Sequence, residues 1–109
     1  MLLSGTIKEI KMKFIQTSKQ RARLRSLAQN LDPIFQVGKS SLTPEVTEAI
    51  REAFNTRELI KISVLKNCMD DPRELGEIIA ERTGSELVHT IGKKIVLYKR
   101  DIDNPGIEL

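Results

Sequence analysis

Residues 34–46 read Ile-Phe-Gln-Val-Gly-Lys-Ser-Ser-Leu-Thr-Pro-Glu-Val, which predicts a strand, a loop and the start of a helix in succession. The strand is the apolar run from Ile34 to Val37, and the small-residue loop runs from Gly38 to Ser41. Thr43 suits the N-cap of the helix and Pro44 its first position. Because such a loop presents backbone N–H groups and one lysine to the outside, it predicts a site for an anion such as phosphate. The alternative for the loop taken alone is a connector without a ligand.

The same loop resembles part of a nucleotide-binding motif. Gly38-Lys39-Ser40 matches the end of G-x-x-x-x-G-K-S/T. The first glycine of that motif would fall at position 33, which is Pro33. The wide glycine-anchored loop therefore cannot form, and we reject nucleotide hydrolysis.

The composition predicts a single domain with an aliphatic core. Of the 109 residues, 39% are hydrophobic, 30% are charged and 4% are aromatic, which is typical of one soluble globular domain. No run of about 18 apolar residues is present, and residues 1–16 lack the features of a secretion signal. We therefore expect no membrane association. Cys68 is the only cysteine, so no internal disulfide can form, and a reducing, cytoplasmic location fits.

The charge is unevenly distributed along the chain. Residues 1–42 carry eight Lys/Arg and two acids, residues 43–92 carry six and ten, and residues 93–109 carry four and three. The four cations of the last segment all lie between Lys93 and Arg100. This distribution predicts one basic face on a dipolar molecule. The alternative is charge scattered over a solvated surface.

Capping residues and helical spacing predict three helices. The first begins at the capping box Thr17-Ser-Lys-Gln20, and the second runs from Pro44 to about Phe54. The third begins at Asp71 and ends at Gly84. The residues that we assign to the core in the first and third helices are Leu24, Leu27, Ala28, Leu31, Leu75, Ile78 and Ile79.

Four strands are predicted, at residues 34–37, 58–65, 86–91 and 94–99. In the second strand, apolar residues alternate with Lys61 and Ser63, which suggests a sheet covered by helices on one side only. Gly92-Lys93 suits a type II′ hairpin between the last two strands. The order α-β-α-β-α-β-β, with parallel crossovers and an antiparallel hairpin, predicts a two-layer α/β fold with a four-stranded mixed sheet. Strands joined by a helix are expected to be parallel neighbours.

The regions outside these elements divide the chain into three parts. Residues 1–16 have three lysines but no apolar period, and we interpret them as a flexible basic extension. Residues 17–100 contain all the predicted elements and form the domain. Residues 101–109 are interpreted as a mostly loose C-terminal tail.

No catalytic or metal-binding constellation is found. His89 is the only histidine and lies midway along a predicted strand, where a structural or surface role is the commoner one. One cysteine and one histidine cannot form a zinc site of usual composition. Asp70 and Asp71 are explained by helix capping. We therefore expect that the protein is not an enzyme and that it binds no cofactor, no metal and no small-molecule substrate.

The candidate functional residues are cations. Four of them lie on the first helix outside its apolar arc, where cations near a helix N-terminus oppose the macrodipole, so a ligand-binding role is favoured over solubility alone. Tyr98 is the one candidate for base stacking, and its alternative is core packing. Phosphate and shape contacts should therefore dominate, which suits structured RNA. The predicted cationic residues are Lys19, Arg21, Arg23, Arg25, Lys39, Lys93, Lys94, Lys99 and Arg100.

Several separated motifs, in order and at family spacing over residues 17–100, resemble the CRM domain family (chloroplast RNA splicing and ribosome maturation). In particular, the chain is similar to the bacterial single-domain YhbY-type proteins. The motifs are Thr17-Ser-Lys-Gln-Arg-Ala, Leu24-Arg-Ser-Leu-Ala28, Asp32-Pro-Ile-Phe-Gln-Val-Gly38, Leu42-Thr-Pro, Glu58-Leu-Ile-Lys61 and Ile91-Gly-Lys-Lys-Ile-Val-Leu-Tyr98.

The resemblance implies a fold similar to the C-terminal domain of bacterial translation initiation factor three. It also implies RNA binding through a G-x-x-G loop and nearby basic surface, and association with precursors of the large ribosomal subunit. The matching loop here is Gly38-Lys39-Ser40-Ser41, in which Ser41 stands where the second glycine is expected. If that position needs a positive φ, a serine there costs roughly 1 kcal/mol.

The resulting hypothesis is a non-enzymatic RNA-binding protein that assists assembly of the large ribosomal subunit. The alternative is a protein-interaction module that docks a partner on the acidic middle of the chain or on an exposed sheet face. Salt separates the two, because RNA binding weakens steeply as salt rises whereas apolar docking hardly changes.

Overall fold

The computed structural model describes residues 14–109. The predicted α/β class, the order of elements and the four-stranded mixed sheet are confirmed. The elements are α1 (Ser18–Ala28), β1 (Phe35–Val37), α2 (Pro44–Ala53), β2 (Leu59–Val64), α3 (Pro72–Thr83), β3 (Glu86–Ile91) and β4 (Lys94–Tyr98).

Each helix begins at its predicted cap. Thr17 and Gln20 form the capping box of α1. The side chains of Thr43 and Asp71 each accept a hydrogen bond from the backbone N–H three residues later, at the start of α2 and α3. Gly84 ends α3 in the left-handed conformation, with φ +69°. Local capping chemistry therefore determines where the helices begin.

The strands lie in the order β1-β2-β4-β3. β1 is parallel to β2, and β4 is antiparallel to both of its neighbours. The expectation that β2 and β3 would be neighbours is wrong, because β4 lies between them. β4 is the most apolar strand, and all four residues from Ile95 to Tyr98 have a fully buried 0% exposure. Such a strand is best placed at the centre, where both faces of the sheet are covered.

The sheet carries helices on both faces. One core lies between the sheet and the pair α2 and α3, and contains Ile50, Ile62 and Ile79. A second, smaller core lies on the opposite face, where Leu24 and Ala28 of α1 pack on the sheet. The expected single covered side is therefore corrected to two. The alternating Lys61 and Ser63 mark the part of the second face that α1 does not bury.

Three residues that were predicted to lie in the core are partly exposed. Leu27, Leu31 and Ile78 have exposed fractions of 37%, 36% and 44%. α1 ends at Ala28, before Leu31, and offers the sheet only Leu24 and Ala28 as buried side chains. Its apolar stripe is therefore narrower than the spacing predicted.

Both ends of the described chain pack on the domain. Phe14 contacts Tyr98 edge to face, with 5.9 Å between the ring centroids, and Ile15 is buried. Ile107 and Leu109 are half-buried against the same core. Of the extension predicted for residues 1–16, residues 1–13 lie outside the described part of the chain. Residues 14–16 join the fold. The tail is likewise not loose over its whole length.

Candidate nucleic-acid interface

The loop from Gly38 to Ser41 is a tight turn that connects β1 to the approach of α2. The Ser41 N–H donates to the Gly38 carbonyl oxygen at 2.9 Å. Lys39 and Ser40 form the exposed tip of this turn. Two residues after Ser41, Thr43 caps the N-terminus of α2. The turn therefore holds one cation and a short run of backbone beside a helix N-terminus, as the sequence predicted.

Ser41 has a φ of +57°, and it is the only non-glycine residue with a positive φ in the range 14–109. A left-handed conformation costs an ordinary L-residue about 1 kcal/mol. The Ser41 hydroxyl donates a hydrogen bond to the Asp70 carboxylate in the loop between β2 and α3. The Cys68 thiol lies 3.8 Å from the same carboxylate oxygen, Oδ2. Asp70 therefore holds Ser41 in place, and Asp71 alone caps the helix.

Gly38 lies against the loop between β2 and α3. A Cβ at this position would be 3.3 Å from Asn67 Oδ1 and 3.4 Å from Leu65 Cδ1. The Leu65 N–H donates to the Val37 carbonyl oxygen at 2.8 Å, which fastens the end of β1 to the end of β2. The absence of a side chain at Gly38 thus permits the close approach of the two loops.

The β3–β4 hairpin brings two more predicted cations to this end of the sheet. The Lys93 carbonyl oxygen accepts a hydrogen bond from the Val64 N–H at 2.7 Å. Val64 is in turn the register partner of Val37, directly before Gly38. The positive φ expected for the hairpin glycine is found at Gly92, at +56°. Lys93, Lys94 and the loop therefore lie at one end of the sheet, which we call the loop end; its residues are Gly38, Lys39, Ser40, Ser41, Lys93 and Lys94.

The other end of the sheet, which we call the far end, holds Arg21, Lys99 and Arg100. Lys99 Nζ donates to the Thr83 carbonyl oxygen at 3.3 Å and so satisfies the C-terminus of α3. Arg100 lies close to Tyr98. Burial and the charge of Glu58 raise the pKa of Tyr98, while Arg100 acts in the opposite direction. The sheet therefore separates Lys99 and Arg100 from the loop with which the sequence grouped them.

The four cations of α1 differ in their surroundings. Arg21 Nη1 donates to the Leu87 carbonyl oxygen at 2.9 Å, where β3 has an irregular register. Arg23 Nε donates to the Glu108 carbonyl oxygen at 2.9 Å. Lys19 and Arg25 have exposed side chains. Arg21 and Arg23 therefore fasten α1 to β3 and to the C-terminal residues.

Arg25 belongs to a group of positive charges that the sequence analysis missed. Burial, and then the charges of Arg25, Lys61 and Arg21, lower the pKa of His89. Lys61 lies on β2 and His89 on β3, and both register with Val96 of β4. The polar residues that interrupt the second strand were the available signal. They were interpreted as an uncovered face that could dock a protein partner, but not as part of an RNA-binding surface.

Residues 14–109 contain neither a metal-binding cluster nor a membrane-spanning helix. No group of three or more His, Cys, Asp or Glu side chains is placed to hold a metal ion in this part of the chain. Within the same residues, no helix has the length and apolar character needed to cross a membrane.

The chain belongs to the CRS1 / YhbY (CRM) domain family, whose pattern matches residues 17–99. It is similar to the "Probable RNA-binding protein YqeI" of Bacillus subtilis, with 48% identity over 85% of this chain and 97% of that protein. It is also similar to an "RNA-binding protein" of Haemophilus influenzae, with 34% identity over 76% and 84% of the two chains. The hypothetical protein SAV1595 of Staphylococcus aureus, solved in solution, has a TM-score of 0.74 and 47% identity, and the match covers 87% of this chain and 99% of that one. These relatives confirm the family that the motifs predicted.

Proposed function

We propose that this protein binds RNA through the loop end of its sheet, that the RNA is ribosomal, and that binding assists assembly of the large ribosomal subunit without catalysis. Two relatives that match most of its length carry names that describe RNA binding. The ribosomal target comes from the resemblance to the YhbY-type proteins. A cytoplasmic location, where such precursors are found, is part of the same proposal.

The observation that carries the proposal is the arrangement of Lys39, Lys93 and Lys94 around the turn of Gly38. Lys39 and Lys93 are exposed, and Lys94 is half-buried. Their ammonium groups can pair with phosphates, while the turn backbone can come close to the RNA because Lys39 and Ser40 are exposed at its tip. Phosphate contacts of this kind give affinity without strong dependence on sequence. Of the remaining predicted contacts, Lys19 and Arg25 have exposed side chains and would extend this surface along α1.

Crosslinking in cells, followed by sequencing of the attached RNA, tests the target. We expect the reads to be concentrated on large-subunit ribosomal RNA and its precursors. Reads spread evenly over messenger and transfer RNA would contradict the ribosomal part of the proposal.

Titration with large-subunit ribosomal RNA transcripts at several salt concentrations tests RNA binding itself. The logarithm of the binding constant should fall linearly with the logarithm of the salt concentration, by about 0.7–0.9 for each phosphate contact. A partner bound by apolar docking would show hardly any slope. That result would favour the alternative of a protein-interaction module.

A further inference from the structure

The face of the sheet that carries α1 is only half covered by the residues that the structure describes. Leu24 and Ala28 of α1 pack over the end of this face that holds Leu59 and Tyr98, and reach Val96. Beyond Val96, toward the hairpin, exposure rises. The side chains of Lys61, Ser63, His89 and Lys94 are half-buried, Gln36 is exposed, and Ile91 is 62% exposed.

The strand register places these side chains on one continuous surface. Lys61 and His89 both pair with Val96, and one step nearer the hairpin Ser63 and Ile91 both pair with Lys94. Gln36 pairs with Ser63 and so continues the surface onto β1. Alternate residues of a strand share a face, so all of them point to the α1 side. We call this surface the open face: Gln36, Lys61, Ser63, His89, Ile91 and Lys94.

The open face is positively charged. Lys61 and Lys94 come from the two central strands, and Arg25 and Arg21 approach His89 from α1. The open face itself contains no carboxylate. Glu86 is on the same strand as His89 but lies at the far end, where its Oε1 accepts the Phe14 N–H at 2.8 Å. A cationic strip of this kind complements a polyanion and does not suit an apolar partner.

The dimensions of the open face suit one strand of nucleic acid. Across the four strands the face is about 14 Å wide, since neighbouring strands are about 4.8 Å apart. Along the strands it extends over two outward-facing residues, about 7 Å. α1 bounds it on one side. At β1 it is continuous with the loop end, since Gln36 is two residues before Gly38.

From this geometry we infer that the open face is a second part of the RNA-binding surface, and that a single-stranded RNA segment held at the loop end continues across it toward Arg25. Lys61 and Lys94 pair with its phosphates, and His89 offers a planar ring to a base. The inference rests on the proposed RNA binding and adds to it a path and a class of RNA. A single-stranded loop within a folded RNA fits both surfaces.

Replacing Lys61 tests the path directly. We expect Lys61→Gln to reduce the salt slope for a single-stranded RNA of about 12 nucleotides by about one unit, because one phosphate contact is lost. Arg73→Gln is the matched control. It removes the same charge from an exposed side chain of α3, on the opposite face of the sheet. Equal effects of the two changes would overturn the inference, and circular dichroism establishes that both variants are folded.

The single histidine gives an independent measurement on the unaltered protein. The His89 imidazole resonances can be titrated with pH in the free protein and in the complex with the same RNA. Burial, and then the charges of Arg25, Lys61 and Arg21, lower its pKa in the free protein, and a phosphate above the face would oppose these charges, so the pKa should rise on binding. By linkage, affinity should then increase as the pH falls through this range. An unchanged pKa in the saturated complex would overturn the inference.

The outcomes distinguish this inference from the proposed function. RNA binding that is weakened by Gly38→Asp but unaffected by Lys61→Gln, with His89 unperturbed, would remove the open face and retain the loop end. Absence of binding to any RNA would overturn both. A change at His89 caused by a protein partner, with no dependence on salt, would place a protein on the open face and overturn the inference.

Discussion

The two ends of the sheet carry similar cations, yet the surroundings of those cations differ. At the far end, Arg21 and Lys99 donate to backbone carbonyl oxygens of β3 and of α3. At the loop end, the Lys39 side chain is exposed at the tip of a turn and Lys93 at the tip of a hairpin. A cation that satisfies a helix or strand terminus contributes to folding, whereas an exposed cation beside backbone N–H groups is available to a phosphate. The comparison predicts that substitutions at the far end change stability and those at the loop end change binding.

The largest effect on binding is expected from Gly38→Asp. The added Cβ would lie 3.3 Å from Asn67 Oδ1, and the carboxylate would bring a negative charge into the loop end. We expect RNA affinity to fall at least about tenfold, which corresponds to about 1.4 kcal/mol. Titration at fixed salt measures the loss.

Gly38→Ala is the matched control, because it adds the Cβ without the charge. If both variants bind equally weakly, crowding against Asn67 and not repulsion of phosphate explains the loss. A folded Gly38→Asp protein that binds as well as the parent would remove the loop end from the proposed function.

The next effect contrasts Arg21→Ala with Lys39→Ala. Removal of Arg21 leaves the Leu87 carbonyl oxygen without this donor and should lower the free energy of unfolding by about 1–2 kcal/mol. The melting temperature would fall by about 4–8 °C for each kcal/mol. Lys39→Ala should leave the melting temperature unchanged and reduce the salt slope by about one unit. The reverse pattern would show that the two ends have been assigned the wrong way round.

A smaller effect is expected at Ser41, whose position in the loop end depends on its hydrogen bond to Asp70. Ser41 has a φ of +57° and donates to Asp70. Ser41→Gly relieves about 1 kcal/mol of backbone cost but loses that hydrogen bond, so we expect little net change in stability and an equal or better RNA affinity. Asp70→Ala should lower stability by about 1 kcal/mol in the parent and by clearly less in the Ser41→Gly background. Thermal melts of the four proteins measure this coupling, and additive losses would show that Asp70 does not hold Ser41.

These contrasts also indicate which parts of the structure could be predicted from the sequence. Thr17, Thr43, Asp71 and Gly84 act within three or four residues of chain, and their helix boundaries were predicted correctly. The turn at Gly38 was predicted for the same reason. In each case the relevant partner is already visible in the local sequence.

The parts that were not predicted depend on contacts between distant residues. Two such features are the position of β4 between β2 and β3 and the side of the sheet on which α1 packs. Both depend on how the apolar faces of all the helices and strands pack together. The same holds for the partners of Arg21 and Lys99, which lie 66 and 16 residues away. The sequence therefore identified which residues are cationic but could not separate cations with an internal partner from those available to a ligand.

The smallest expected effect concerns Lys99, which the sequence analysis grouped with the RNA contacts. Its Nζ lies 3.3 Å from the Thr83 carbonyl oxygen, at the C-terminus of α3, where a cation also interacts favourably with the helix dipole. Lys99→Ala should therefore lower the free energy of unfolding by about 0.5–1 kcal/mol and leave the salt slope of RNA binding unchanged. Lys93→Ala, at the opposite end of the same strand pair, should reduce the salt slope and leave the free energy of unfolding unchanged. Its stability is retained because the Lys93 backbone oxygen still accepts a hydrogen bond from the Val64 N–H. Melting temperatures and salt slopes measured side by side decide the matter. If both substitutions reduce the salt slope equally, the RNA contacts both ends of the sheet. In that case a cation with an internal hydrogen bond, such as Lys99, can still contact a phosphate.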